Sequence, residues 1–244
     1  MFFSPKKSLI TSGLLNDMVD IHSHILPDLD DGVSKYDEAV NSLKWLRRNG
    51  LKRMYLTPHI MMEFPKNCRG YVLEQFDFFK RRLENDKIED IPELKPGAEY
   101  MLESALEKHK SEELLTFANR HVLVETSYIS PPIGFASILE KLMEDGYSPI
   151  LAHPERYMYM DMKDYIHLNK EGVLFQLNFL SVIGIYGRFA KEKALRLLNS
   201  GLYKYTGSDF HRLSRHEIDF HVKSLTKKHT TAIQCLIDNN KELW

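Results

Sequence analysis

The feature that most constrains this chain is a repeated unit. A helix-like stretch ends at Asn-Gly, Asp-Gly, Glu-Gly or Ser-Gly, and a short apolar run follows at once. LKWLRRNG leads into LKRMYLTPH, LMEDG into YSPILAHPERY, LNKEG into VLFQLN, and ALRLLNSG into LYKYTGSDFH. Glycine just past the last turn caps a helix because it adopts the left-handed conformation at little cost. Short runs rich in Val, Ile, Leu and Tyr read as buried parallel strands. MVDIHSH, LKPGAEYML and RHVLVETSY bring the candidate strands to seven. Strands that alternate with helices predict an α/β fold built on a parallel sheet. The clearest helix is predicted over 34–49, where Ala39, Val40, Leu43 and Leu46 share a face.

Six of the seven runs end in His, Asp or Glu: His22 and His24, His59, Glu99, Glu125, His153, and Asp209 with His211. Asp31 lies in the loop after the first run, and only VLFQLN ends without such a group. In a β/α barrel the C-terminal strand ends form one rim, so these side chains converge. A lone His at a strand end is usually a hydrogen-bonded structural residue. Five histidines and four carboxylates on one rim are not explained by packing, because buried carboxylates repel one another unless cations neutralise them. Imidazole with carboxylate suits Zn²⁺, Mn²⁺ or Fe²⁺ better than Ca²⁺. His109, His121, His167, His216, His221 and His229 fall in helix-like or connecting positions and are read as surface or helix-end histidines.

The remaining composition narrows the class. At 244 residues, 43% hydrophobic and with a net charge of −1, the chain has the make-up of one globular domain over 1–244, with 1–17 an N-terminal arm or oligomer contact. No block of like charge points to nucleic acid, and no apolar run approaches the roughly 20 residues that span a bilayer. Cys68 and Cys235 form no CxxC motif and no disulfide framework, which fits the cytoplasm. Neither is followed six positions on by the Arg of a cysteine-dependent phosphatase, since Glu74 and Lys241 stand there. DLDDG follows Pro27 rather than a buried strand, which argues against an aspartyl nucleophile. Tyr157 and Tyr159 either line a substrate cleft or pack, and SPPIGF, stiffened by two prolines, is a candidate cleft wall. The tail TTAIQCLIDNNKELW reads as a last amphipathic helix closing the barrel.

DIHSHILPDLDDG, TPH, GAEYML, VLVETS, LAHPERY and GSDFH, in this order, resemble the polymerase-and-histidinol-phosphatase superfamily, and within it the metal-dependent bacterial protein-tyrosine phosphatases of capsule and exopolysaccharide loci. The resemblance spans about Asp20 to His211. It implies a distorted (β/α)7 TIM-like barrel and three divalent metal ions, with Mn²⁺ first and Fe²⁺ or Zn²⁺ as alternatives. By position, His22, His24, Glu99 and Asp209 would hold the first ion, Glu99, Glu125 and His153 the second, and Asp31, His59 and His211 the third. It also implies two phosphate-binding arginines. One is Arg156; for the other SDFHRLSRH offers Arg212 and Arg215, of which Arg215, farther along, is favoured. HIMMEFPKNC departs from the acidic, tyrosine-bearing loop expected there. The implied activity is hydrolysis of protein phosphotyrosine, on a bacterial tyrosine autokinase that controls polysaccharide export. A small-molecule phosphatase, such as one acting on histidinol phosphate, and a binding domain that has lost catalysis are the alternatives.

Overall fold

The computed structural model describes residues 5–16, 18–103, 105 and 112–244; His109 lies outside them. The seven apolar runs contribute nine parallel strands: β1 Val19–Asp20, β2 Arg53–Leu56, β3 His59–Ile60, β4 Glu93–Pro96, β5 Glu99–Met101, β6 His121–Glu125, β7 Ser148–Ala152, β8 Leu174–Asn178 and β9 Tyr205–Gly207. Two runs are each broken in the middle. Thr57-Pro58 separates β2 from β3, and Gly97-Ala98 separates β4 from β5. Pro58 has no N–H to give the ladder, and Gly97 has no side chain to hold a strand in place. Hydrogen bonds carry the pairing past both breaks: Gly97 N–H donates to Leu56 O over 2.9 Å and Glu99 N–H to Pro58 O over 3.1 Å.

Strand order is β1-β2-β4 in one sheet and β3-β5-β6-β7-β8-β9 in the other. Because β2 and β3 belong to one run, as do β4 and β5, the two sheets form seven consecutive staves. The first and last staves meet through one parallel bridge, Ser23 with Phe210. The result is a distorted (β/α)7 barrel. Alternate strand residues sort into two apolar clusters. Val19, Ile21, Tyr55, Leu123, Ile150 and Tyr205 form one with Leu243; among the described residues it has no member from the surrounding α-helices, so it is the barrel interior. The other joins Met54, Leu56, Val122, Val124, Leu151 and Leu177 to the helices outside.

The helices follow their sequence signals. Tyr36–Arg48 has Asp37 and Glu38 in its first turn, Arg47 and Arg48 in its last, and buries Ala39, Val40, Leu43 and Leu46. Gly50 and Gly172, which follow helices, sit at φ 105° and 102°. Of the expected N-terminal arm, Leu9, Leu14 and Leu15 are buried in the core, and Lys7 pairs with Leu225.

Where β1 runs beside β9 without a ladder, side chains replace it. Asn240, at the end of the helix Lys227–Asn240, donates to Val19 O and to Thr206 O over 2.7 Å each and accepts from Thr206 N–H over 3.1 Å. Asp20 accepts from Ser208 N–H over 3.0 Å and from the Ser208 hydroxyl. Burial raises the Asp20 carboxyl to about 6, although both Ser208 bonds favour the charged form. The last helix thus fastens the seam of the barrel. Asn240→Ala would remove three hydrogen bonds to buried backbone groups, and an equilibrium urea titration should show a loss of about 2–4 kcal/mol. A loss below about 0.5 kcal/mol would mean the seam is held elsewhere.

Candidate metal centre

All nine rim residues singled out from the sequence lie together at the C-terminal ends of the strands. Register brings some of them there. His59 on β3 is the partner of Glu99 on β5, and Glu125 ends the neighbouring β6 opposite Met101. Local kinks bring others. His153, after β7, and Asp209, after β9, have φ of 32° and 53°, a left-handed region that residues other than glycine seldom occupy. Strain of this kind persists where surrounding structure imposes it, characteristically at functional sites.

Four overlapping groups have ligand atoms within 4.8 Å of one another: His24, Asp31, His59 and His211; His22, His24 and Asp209; His22, Glu99 and His153; and His59, Glu99 and Glu125. His22, His24, His59 and Glu99 each belong to two groups, so the cluster is continuous. Glu125 groups with His59 and Glu99, and His153 with His22 and Glu99. The His22 and His24 Nε2 atoms are 3.2 Å apart. Glu99 Oε2 is 3.1 Å from both His22 Nε2 and His59 Nδ1. Glu99 Oε2 and His59 Nδ1 are nevertheless buried without a hydrogen bond of proper geometry. Buried polar atoms aimed at one another without hydrogen bonds are what a cation-binding donor set requires. The cluster can hold metal.

Charge shapes the cluster as strongly as position. Burial alone would keep His22 neutral, but Glu99 and Asp209 beside it outweigh burial and raise it to about 9. His24 is raised against the same burial by Asp30 and Asp209. Glu99 is held well below the carboxylate range despite burial, because His22 and His59 face it. Asp209 is held low in the same way by His22 and His211.

The structure adds residues that the sequence did not single out. Asp30, one position before the expected Asp31, accepts from His24 Nδ1 over 2.7 Å and from the His59 backbone N–H over 3.0 Å. Gln176 Oε1 pairs with His22 Nδ1 over 2.9 Å. With these acceptors on Nδ1, both imidazoles present Nε2 to the cluster. Asn178 donates to Asp209 Oδ2 over 3.1 Å. The run VLFQLN, which lacks a rim ligand, therefore supplies two outer supports, and the signal was its pair of amides two residues apart. Behind Asn178, the buried Glu155 accepts from Asn178 N–H, Ser181 and Tyr203.

A cleft of about 460 Å³ opens over the cluster, and Arg156, Arg212, Arg215, Tyr128, Tyr186 and His216 line it together with rim residues. Arg156 donates to Asp209 Oδ2 over 2.9 Å and is sandwiched between the rings of Tyr128 and Tyr186, at 4.3 and 4.5 Å. Arg212 is engaged with the backbone oxygens of Gly32 and Asp31, whereas the Arg215 side chain is 58% exposed. His216 is not a surface histidine. It is buried, stacks on Phe210 and accepts from His211 N–H over 3.1 Å. Tyr157 and Tyr159 do not line this cleft, and Tyr157 is fully buried. Pro131, Pro132 and Phe135 of SPPIGF line a separate groove with Tyr159 and Leu168. Neither Cys68 nor Cys235 reaches the cleft.

Comparison with known proteins agrees with this geometry. Residues 18–243 match the family model "Capsular polysaccharide synthesis, CpsB/CapC". The chain is 29% identical over 235 residues to the tyrosine-protein phosphatase YwqE of Bacillus subtilis, covering 93% of this chain and 91% of that protein. It is 31% identical over 209 residues to the tyrosine-protein phosphatase CpsB of Streptococcus pneumoniae, covering 80% and 84%. A crystal structure from the work on those two proteins, described as unique metal-dependent tyrosine phosphatases, superposes with a TM-score of 0.72 at 28% identity, covering 92% of this chain and 87% of that one. With nearly its whole length matched, this chain belongs to the CpsB/CapC family of capsular polysaccharide synthesis proteins.

Proposed function

We propose that this protein is a metal-dependent phosphomonoesterase that removes phosphate from protein phosphotyrosine, acting in the cytoplasm on a tyrosine autokinase that controls capsular or exopolysaccharide synthesis. The observation that carries the reading is the joining of a nine-residue imidazole and carboxylate cluster to an arginine-lined cleft. The family and its tyrosine-phosphatase relatives support it. His22, His24, Asp31, His59, Glu99, Glu125, His153, Asp209 and His211 would hold three divalent ions, Mn²⁺ first, with Fe²⁺ or Zn²⁺ as alternatives. When bound, such ions acidify water for attack on phosphorus and offset phosphoryl charge.

The chain's own residues do the rest. Arg156 spends one N–H on Asp209, and its remaining donors bind phosphoryl oxygens. The two tyrosine faces fix its plane, so little entropy is lost when substrate arrives. Arg215, which reaches over the Tyr186 ring of the cleft at 5.8 Å, serves as the second phosphate-binding arginine. No cysteine is needed as nucleophile. A tyrosyl oxygen leaves more readily than a seryl one, because phenol is the stronger acid.

Four outcomes test this reading. A Mn²⁺-loaded preparation should show higher kcat/KM on phosphotyrosine peptides than on phosphoserine peptides or histidinol phosphate. Preference for histidinol phosphate would reassign the enzyme to small molecules, and no turnover of any would favour a binding role. Chelation should abolish activity and Mn²⁺ restore it, with His22→Ala or Asp209→Ala losing both ion and rate. Because His22 must shed a proton near pH 9 before it can ligate, apparent Mn²⁺ affinity in chelator competition should rise with pH between 6 and 9, about tenfold per unit for each proton displaced. A flat profile would remove His22 from the ligands. Arg156→Ala should cost about 2–4 kcal/mol in kcat/KM, while Cys68→Ser and Cys235→Ser leave it nearly unchanged. Trapping a phosphocysteine would overturn the direct-attack chemistry.

A further inference from the structure

Two clefts, not one, open onto the metal cluster. The arginine-lined cleft and a second of about 480 Å³ share Asp31, His59 and Tyr128. The second is walled by Met61, Phe64, Met101 and Ile129. Among the described residues its lining contains no lysine or arginine, and its charged residues are the rim's own Asp31, His59 and Glu125 together with Glu63. Resting on the phosphotyrosine reading above, we propose that this second cleft is the aryl subsite, where the ring of the substrate's tyrosyl group lies while its phosphate faces the arginines.

Charge gives the direction. A phosphate monoester holds its negative charge on the terminal oxygens, and Arg156, Arg212 and Arg215 line the first cleft and not the second. A tetrahedral phosphorus whose terminal oxygens turn toward Arg156 and Arg215 points its ester oxygen away from them, toward the second cleft. Glu63 there disfavours the opposite orientation. Elimination gives the same answer. The aromatic platforms of the first cleft, Tyr128 and Tyr186, already have Arg156 stacked on them. The second cleft has an aromatic ring of its own in Phe64, which lies within 5° of parallel to His59 with ring centroids 6.1 Å apart. Met61 and Met101 supply unbranched, polarisable side chains that conform to a ring placed against them. Ile129, 76% exposed, stands at the mouth, where the peptide chain continues outward. This gives the HIMMEFPKNC loop a role without the tyrosine expected in it, since Met61 and Phe64 supply the apolar wall.

Phenylphosphonate and methylphosphonate test the assignment, because they share a phosphonate and differ in the ring. Both are titrated calorimetrically into the full-length, Mn²⁺-loaded wild-type protein and its Phe64→Ala, Phe64→Leu and Met101→Ala variants. The wild type should bind phenylphosphonate more tightly. The alanine variants should lose roughly threefold to tenfold of that preference, with Phe64→Leu intermediate and methylphosphonate affinity unchanged. The same variants should lower kcat/KM on phosphotyrosine peptides by a similar factor. The subsite is overturned if the wild type shows no preference for the ring, if the preference survives every variant, or if both phosphonates weaken in parallel. If the wild type cleaves phosphotyrosine peptides in any of these cases, the subsite alone fails; preference for histidinol phosphate would remove the reading beneath it.

Discussion

Everything at the C-terminal rim depends on keeping Glu99, Glu125 and Asp209 buried side by side without letting them repel one another. Glu99 is fully buried and Asp209 is 2% exposed. In such a setting an isolated carboxylate would sooner take a proton than stay charged. The fold answers by surrounding the acids with imidazoles at 3.0–3.4 Å and by fixing those imidazoles from behind. Asp30 turns His24, and Gln176 turns His22. The left-handed backbone at His153 and Asp209 serves the same end, since regular strand geometry would carry those side chains past the cluster.

The barrel's seam, where a single bridge joins the first stave to the last, runs through the same place. His22, His24, Asp209 and His211 all lie where the first stave meets the last, and the chains there touch by single bonds. Asp209 N–H donates to His22 O over 2.9 Å and His24 N–H to Phe210 O over 2.8 Å. A full ladder would hold these residues in a flat pleat and send alternate ones to opposite faces. Instead Asp20 and Asn240 supply the missing hydrogen bonds, and the histidines are free to turn inward. Gly207 is part of the arrangement. A Cβ there would come within 2.7 Å of His22 Cβ, so any side chain would displace a cluster residue.

The nine rim residues were legible because a polar group at the end of an apolar run has one natural destination in a β/α barrel. What escaped the sequence depends on geometry that adjacent letters do not carry. Asp30 and Asp31 are neighbours of the same type, and only the loop's turn sends one against His24 and leaves the other beside His59 and His211. Pro58 and Gly97 lie inside apolar runs, so seven runs were legible but not nine strands. His216 reads as an ordinary helix histidine until the helix Leu213–Phe220 is seen to pack it onto Phe210. Tyr128 and Tyr186, 58 residues apart in sequence, meet only through Arg156.

Protons and cations compete at this rim on nearly equal geometric terms. A protonated His22, His24 or His59 puts positive charge within about 3.5 Å of Glu99 or Asp209, which is what a divalent ion would do from a similar position. The raised imidazoles and lowered carboxylates are therefore one effect seen from both sides. Protons on the imidazoles and a bound cation would neutralise the same acids, so the binding of one displaces the other. Such a site should be least costly to fold at neutral or mildly acidic pH and most avid for metal above it. The outer shell of Asp30, Gln176 and Asn178 holds the far sides of the ligands, away from the atoms where protons and cations exchange.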